Sequence, residues 1–338
     1  MANFELSKKK AKKTVFVSGS THPELAEATA RSLGIDMGGV ALQEFKNSEL
    51  CARYTESVRG KHVIIMQTHA AAKGRSVNDS LQEQLLMADA AKRASAKSIT
   101  AVSPMLAYSR QDRKSKGRET IAAAMVIQQL AMVGVSRIVS VDLHSAQMQA
   151  VFDGPFDHLT AEPIMKRALA NKIGDKDKDG FMLVSPDAGR AKTTEHYSRE
   201  LGIDWVTMPK TRDRTDSSII NRPLQVEEVD GKICFITDDM IDTAGTLVSA
   251  AETLERSGAK KVIALATHAV FSNPALTRLE ASPISEIIVT DTMPTDEARA
   301  ALGKRLRVLS IAPLIGQAIS AIRNDESVSE IFDDYNYS

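Results

Sequence analysis

Cysteine is scarce: Cys51 and Cys234 are the only two in 338 residues. Two thiols build no disulfide framework, which excludes a disulfide-stapled secreted scaffold and leads us to expect the reducing cytoplasm. Cys234 stands inside the apolar run 232–237 and reads as a buried thiol. Long hydrophobic runs are also missing. Nothing approaches the roughly 20 apolar residues of a membrane helix, so no membrane partner is expected. The basic start, residues 8–13, has no apolar segment behind it long enough for a signal peptide, and it reads as a solvated tail. An excess of either charge is absent as well: 43 Lys+Arg balance 43 Asp+Glu. Nothing global therefore argues for nucleic acid or an anionic surface as partner. Close internal repeats and low-complexity segments are lacking too.

What is present is a large apolar complement, 43% hydrophobic against 25% charged. That is ample for a core, and the length suggests two domains. Short apolar strands alternate with longer amphipathic stretches. Strands are expected at 14–18, 62–66, 99–103, 138–141, 181–184, 205–208, 233–237, 262–266, 287–290 and 308–311. Helices are expected at 23–33, 78–94, 120–133, 161–173, 191–201, 247–257, 274–279 and 313–324. Within the second helix Leu81, Leu85, Ala88 and Ala91 recur at helical spacing, a packing face rather than a cofactor box. Such alternation implies an α/β fold of two related domains, each a mostly parallel sheet flanked by helices. The expected division is a basic tail 1–13, a domain 14–160, a domain 161–312, and a C-terminal helix and tail 313–338 packing back on the first domain. The polar stretch 173–180 reads as a surface loop near the junction.

In such folds ligands sit beyond the carboxyl ends of the strands, and polar motifs stand there. Residues 238–246 (DDMIDTAGT) are the most informative. They follow an apolar strand and precede a helix, where Thr243, Gly245 and Thr246 would offer hydroxyl and backbone N–H donors to an anion. Asp238, Asp239 and Asp242 have the wrong charge for phosphate and suit ribose hydroxyls or a metal-bound ligand. Phosphate donors beside such acids describe a 5-phosphoribosyl pocket; the competing reading is an acidic capped turn.

Four further strand-end motifs each allow two readings. In 108–119 (YSRQDRKSKGRE) Arg110 offers a planar fork to phosphate or carboxylate, and Gln111 a hydrogen bond to a base or ribose; the alternative is a solvated charge run. In 142–145 (DLHS) His144 is a metal ligand, a general base or a structural histidine. In 185–190 (SPDAGR) Asp187 caps a helix, touches a ribose or ligates Mg2+, and His144 and Asp187 together could hold an ion that keeps waters and substrate phosphates. In 209–216 (PKTRDRTD) alternating Lys210 and Arg212 point to one side of an extended segment, suited to charge developing on a transferring phosphoryl group, or form a solvated hairpin.

Taken in order, residues 56–60 (ESVRG), 77–79 (VND), 91–102 (AKRASAKSITAV), 109–114 (SRQDRK), 141–144 (VDLH), 152–155 (FDGP), 184–189 (VSPDAG), 210–212 (KTR), 238–247 (DDMIDTAGTL), 266–268 (ATH) and 308–314 (VLSIAPL) resemble the ribose-phosphate diphosphokinase family over nearly the whole chain. The resemblance implies a phosphoribosyltransferase-like fold and attack by the anomeric hydroxyl of ribose 5-phosphate on the β-phosphorus of Mg·ATP. It implies that Thr243, Ala244, Gly245 and Thr246 hold the 5-phosphate, Asp238 and Asp242 the ribose, His144 and Asp187 the Mg2+, and Arg110 and Gln111 the ATP. Lys210 and Arg212 would stabilise the transition state. Phe45, Asn47 and Glu49 of a neighbouring subunit would complete the adenine site in a homo-oligomer, typically a hexamer. Ser57, Arg59 and Ser310 stand where one class of the family binds allosteric phosphate and ADP.

The sequence departs from the family pattern at Lys46 and Ser48, at the lengthened 69–76 link, and at Arg190, Thr120 and Ala269, none of which removes a proposed catalytic group. A non-catalytic regulatory subunit of the same family is the alternative, although such relatives lose the cationic or sugar-phosphate loop and both are complete here. A phosphoribosyltransferase would share only the 238–246 type of loop.

Overall fold

The computed structural model describes residues 4–175, 177–208 and 228–332. The chain divides into two compact units. The first runs to Ala161 and takes in Thr292–Pro294 and the segment from Ser310; the second comprises Glu162–Asp291 and Thr295–Leu309.

The first unit contains α1 (Lys8–Ala11), β1 (Thr14–Ser18), α2 (Pro23–Ser32), β2 (Val40–Glu44), β3 (Leu50–Tyr54), β4 (His62–Met66), α3 (Val77–Arg93), β5 (Ser98–Ser103), α4 (Ala122–Met132), β6 (Arg137–Val141) and β7 (Phe156–Leu159). Five strands form a parallel sheet in the order β1-β4-β5-β6-β7. Its strands are apolar on both faces, as burial between helix layers requires. Helix α3 starts with a capping box: the Ser76 hydroxyl accepts from the Asp79 N–H, and the Asp79 carboxylate accepts from the Ser76 N–H. Its Leu81, Leu85, Ala88 and Ala91 are buried, as their spacing predicts.

Strands β2 and β3 form a separate antiparallel hairpin, Val40 opposite Tyr54 and Glu44 opposite Leu50. The sequence reading lacks this hairpin, because neither strand is fully buried and no Asn-Gly or Asp-Gly turn announces it. It also lacks the four-residue edge strand β7. The basic start is not simply frayed. Leu6 is buried, its N–H donates to the Leu33 carbonyl (2.9 Å), and the Thr14 hydroxyl donates to the Lys10 carbonyl (2.9 Å). In the same unit α10 (Ala312–Asn324) packs on α2. The approach is close: a Cβ at Gly316 would lie 2.0 Å from the Ser32 Oγ and 3.2 Å from its Cβ, so any larger residue requires Ser32 to shift.

The second unit contains α5 (Glu162–Ile173), β8 (Phe181–Ser185), α6 (Ala191–Leu201), β9 (Trp205–Thr207), β10 (Ile233–Ile241), α7 (Gly245–Arg256), β11 (Lys261–Ala269), α8 (Ala275–Ala281), β12 (Ile284–Thr290), α9 (Asp296–Leu302) and β13 (Leu306–Leu309). Six parallel strands lie in the order β13-β12-β11-β10-β8-β9. Phe181 and Phe235 stack at 5.7 Å between centroids inside this core. Cys234 is fully buried, and burial pushes its thiol up to about 12. The polar 173–180 stretch lies within this unit, past the boundary at Ala161.

Strand β10 is four residues longer than the sequence suggests. Its partner β11 is nine residues long, and the ladder continues through Met240 opposite His268 and Ile241 opposite Ala269. Paired backbone outweighs the low strand preference of aspartate, so Asp238 and Asp239 belong to the strand and not to a turn.

Candidate active site

The order of the second sheet has a reversal. From β8 the chain moves outward to β9, whereas β10, on the other side of β8, leads to β11, β12 and β13. Between β8 and β10 the connections therefore leave in opposite directions. Such a switch point opens a crevice at the strands' carboxyl ends. Two of the sequence motifs flank it: the loop after β8 with Asp187, and the loop after β10 with Asp242 to Thr246. The first sheet has no such reversal among its strands.

The turn after β10 comprises Asp242, Thr243 and Ala244 only, because Gly245 and Thr246 already form the first turn of α7. Ala244 is the N-cap and adopts the left-handed region, φ 60°, unusual for a residue with a Cβ. It gives no side-chain cap, so the leading amides of α7 are presented to a ligand. Thr243 and Thr246 are exposed, and Ala244 is buried. A Cβ added at Gly245 would lie 3.4 Å from the Arg278 Nη1 and 4.0 Å from the Thr243 Oγ1. Glycine is thus not demanded there by the protein's own atoms.

Asp238 and Asp239 project to opposite faces of β10. The Asp239 N–H donates to the Asp238 Oδ1 (2.8 Å), and the Arg190 Nε lies 3.8 Å from the same oxygen. This ion pair ties the β8 loop to β10. Burial, and then the neighbouring Asp239 carboxylate, push Asp238 up to about 7, while Arg190 opposes the shift. Asp187 serves as a cap: its Oδ1 accepts from the Gly189 N–H (2.8 Å), and the Ser185 hydroxyl donates to its carbonyl (2.6 Å). The capping reading thus holds for one carboxylate oxygen.

In the first unit Phe45, Asn47 and Glu49 sit together at the tip of the β2–β3 hairpin. The Phe45 N–H donates to the Glu49 carbonyl (2.8 Å), and the Glu49 N–H donates to the Asn47 Oδ1 (3.3 Å). Phe45 is 45% exposed, an unusual setting for a large apolar ring. Arg110 and Gln111 lie exposed after β5, in a turn where the Gln111 N–H donates to the Tyr108 carbonyl (2.8 Å). His144 is exposed after β6; before it, Asp142 takes φ 38° and its carboxylate accepts from the Ala161 N–H (3.2 Å). Ser57 and Arg59 line a cleft of about 360 Å³ with Arg53, Tyr54 and Glu56. Ser310 lies elsewhere, at the start of α10, where its Oγ accepts from the Ala312 N–H (3.3 Å). Lys210 and Arg212 lie outside the described residues.

One cation escapes the sequence reading. Arg278 on α8 donates from Nη1 to the Thr243 carbonyl (2.9 Å). Thirty-five positions separate the two residues, and no spacing rule connects them.

Comparison with known proteins bears on these loops. A family described as the N-terminal domain of ribose phosphate pyrophosphokinase matches residues 14–134, and one described as a phosphoribosyl synthetase-associated domain matches residues 192–333. A ribose-phosphate pyrophosphokinase from Bifidobacterium longum is 45% identical over 338 residues, covering 99% of this chain and 97% of the relative. The chain belongs to the ribose-phosphate pyrophosphokinase family. A relative of the same description from Streptomyces avermitilis is 43% identical over 324 residues, covering 96% of this chain and 97% of the relative. Among solved structures, phosphoribosylpyrophosphate synthetase from Mycobacterium smegmatis superposes with a TM-score of 0.84 at 41% identity, covering 93% of this chain and 99% of that one. The two parallel α/β units are therefore those of a ribose-phosphate pyrophosphokinase.

Among the described residues no three His, Cys, Asp or Glu side chains gather as a metal cage, and no helix is long and apolar enough to cross a membrane. Mg2+ needs no such cage, since it retains waters and phosphate oxygens and takes one or two protein donors. The carboxylate of Asp187 is a donor of that kind.

Proposed function

We propose that this chain transfers the pyrophosphoryl group of ATP to the anomeric hydroxyl of ribose 5-phosphate, giving 5-phosphoribosyl 1-pyrophosphate and AMP for nucleotide biosynthesis. The observation that carries the proposal is the switch-point loop. An uncapped helix start for a phosphate stands directly beyond a strand whose Asp238 can accept from sugar hydroxyls, in a chain with full-length relatives of that name.

In this reading the amides and hydroxyls of Thr243 to Thr246 hold the 5-phosphate. Asp238 and Asp242 accept from the ribose hydroxyls and fix the ring. The anomeric oxygen then bonds to the β-phosphorus and loses its proton, the bond between the α,β-bridging oxygen and the β-phosphorus breaks, and AMP leaves with that oxygen. Arg110 and Gln111 hold the nucleotide, and Phe45, Asn47 and Glu49 of a neighbouring copy enclose its adenine in a homo-oligomer, a hexamer by family resemblance. The exposure of the Phe45 ring on its own unit supports that sharing. His144 and Asp187 would hold Mg2+, which when bound neutralises the polyphosphate. Lys210 and Arg212 counter the charge that develops as the group moves. The residues are asked for positioning and charge, with little covalent chemistry.

The test is incubation with ribose 5-phosphate, ATP and Mg2+, followed by mass spectrometry. AMP and 5-phosphoribosyl 1-pyrophosphate are expected in equal amounts. A folded, ATP-binding protein that forms neither, with or without inorganic phosphate, would overturn the proposal.

A further inference from the structure

We propose that Arg278 is a positioning residue for the sugar-phosphate loop and brings the fixed positive charge that selects a phosphorylated sugar; this rests on the assignment of Thr243 to Thr246 to the 5-phosphate. Ala244 holds a left-handed backbone (φ 60°) that disfavours any residue with a Cβ by about 1 kcal/mol or more, so something must hold it there. The peptide just before it is the one that Arg278 grips, through Nη1 and the Thr243 carbonyl at 2.9 Å. In a trans peptide the C=O and N–H point in opposite directions, so pinning that carbonyl also fixes where the Ala244 N–H points.

Arg278 is itself held in place. Its helix α8 buries Ala275 and Leu279, and the segment before the helix is tied to the end of β10 by the Phe271 N–H donating to the Ile241 carbonyl (2.9 Å). Among the described residues the guanidinium makes no other hydrogen bond or ion pair. Its remaining N–H groups form a planar fork of the kind that binds phosphate at two points. The fork also overlies Gly245, since a Cβ there would sit 3.4 Å from Nη1. The exposed guanidinium and the uncapped amides of α7 therefore border the same small space, and both favour an anion.

The experiment compares wild type with Arg278→Gln, Arg278→Ala and Arg278→Lys. Wild-type turnover is measured first, so that failure of the proposed function is seen by itself. Ribose 5-phosphate affinity is then read by titration calorimetry as well as by KM, beside the KM for ATP and the Tm. Removing a charge-assisted hydrogen bond is expected to weaken ribose 5-phosphate between about tenfold and a hundredfold in the Gln and Ala variants, with Lys recovering part of the loss. The KM for ATP and the Tm are expected to stay near wild type, because Arg278 is exposed. Added salt should weaken the wild type more than Arg278→Gln. Ribose 5-phosphate affinity within twofold of wild type in Arg278→Gln would overturn the proposal. So would a loss of affinity that tracks a fall in Tm and an equal loss for ATP, which marks a merely structural arginine. A wild type that binds no ribose 5-phosphate overturns this proposal and the assigned function together.

Discussion

Asp238 carries charge where the fold disfavours it. A carboxyl whose folded pKa stands above its unfolded one costs the fold nothing below about pH 4, and costs it more as pH rises toward about 7. Asp238→Asn is therefore expected to raise the Tm at pH 8, by an amount worth about 1–2 kcal/mol, and to leave it nearly unchanged at pH 4. The same change should cripple ribose 5-phosphate binding. Thermal scans across that pH range decide the matter, since a pH-independent Tm difference would contradict it. Lys210→Ala belongs to the other half of the chemistry. If Lys210 acts on developing charge, kcat falls by about 3 kcal/mol of barrier or more while the ATP dissociation constant moves little, and parallel losses in both would sink that role.

Among elements, the turn into α7 is the one whose geometry speaks most directly. Gly245→Ala meets no protein atom closer than 3.4 Å, so its Tm should stay close to wild type. A ligand packed against that backbone would be displaced, and the KM for ribose 5-phosphate is expected to rise about tenfold or more. An unchanged KM would mean that no ligand approaches Gly245. The β2–β3 hairpin allows a second separation. Phe45→Ala on an exposed tip should leave stability within about 0.5 kcal/mol and raise the KM for ATP in the assembled enzyme. An unchanged ATP KM would remove Phe45 from the nucleotide site.

Elements also show how far the residues announce the fold. Strands such as β1, β4 and β10 were plain because burial on both faces demands unbroken apolar runs. The β2–β3 hairpin was hidden by half-exposed strands, and the end of β10 by aspartates that only the long partner β11 keeps in the ladder. Motifs beyond strand ends were readable because phosphate chemistry calls for glycine, hydroxyl and amide donors in one short run. Arg278 was not, because its grip on Thr243 exists only after β11 and α8 have folded beside β10.

At the scale of the molecule, each unit builds its own parallel sheet, but only the second reverses strand order, and the sugar-phosphate motif stands at that reversal. In the proposed reading, topology chooses which of several acidic and basic loops would meet the sugar. The two matching family descriptions divide the chain in a similar way, one over residues 14–134 and the other over 192–333. The central claim is transfer of two phosphoryl groups together, and label position tests it most directly. With ATP carrying 32P at the β-phosphorus, all transferred label should appear in 5-phosphoribosyl 1-pyrophosphate and none in AMP. Label accumulating in ADP, or remaining in ATP while ribose 5-phosphate is untouched, would contradict the account.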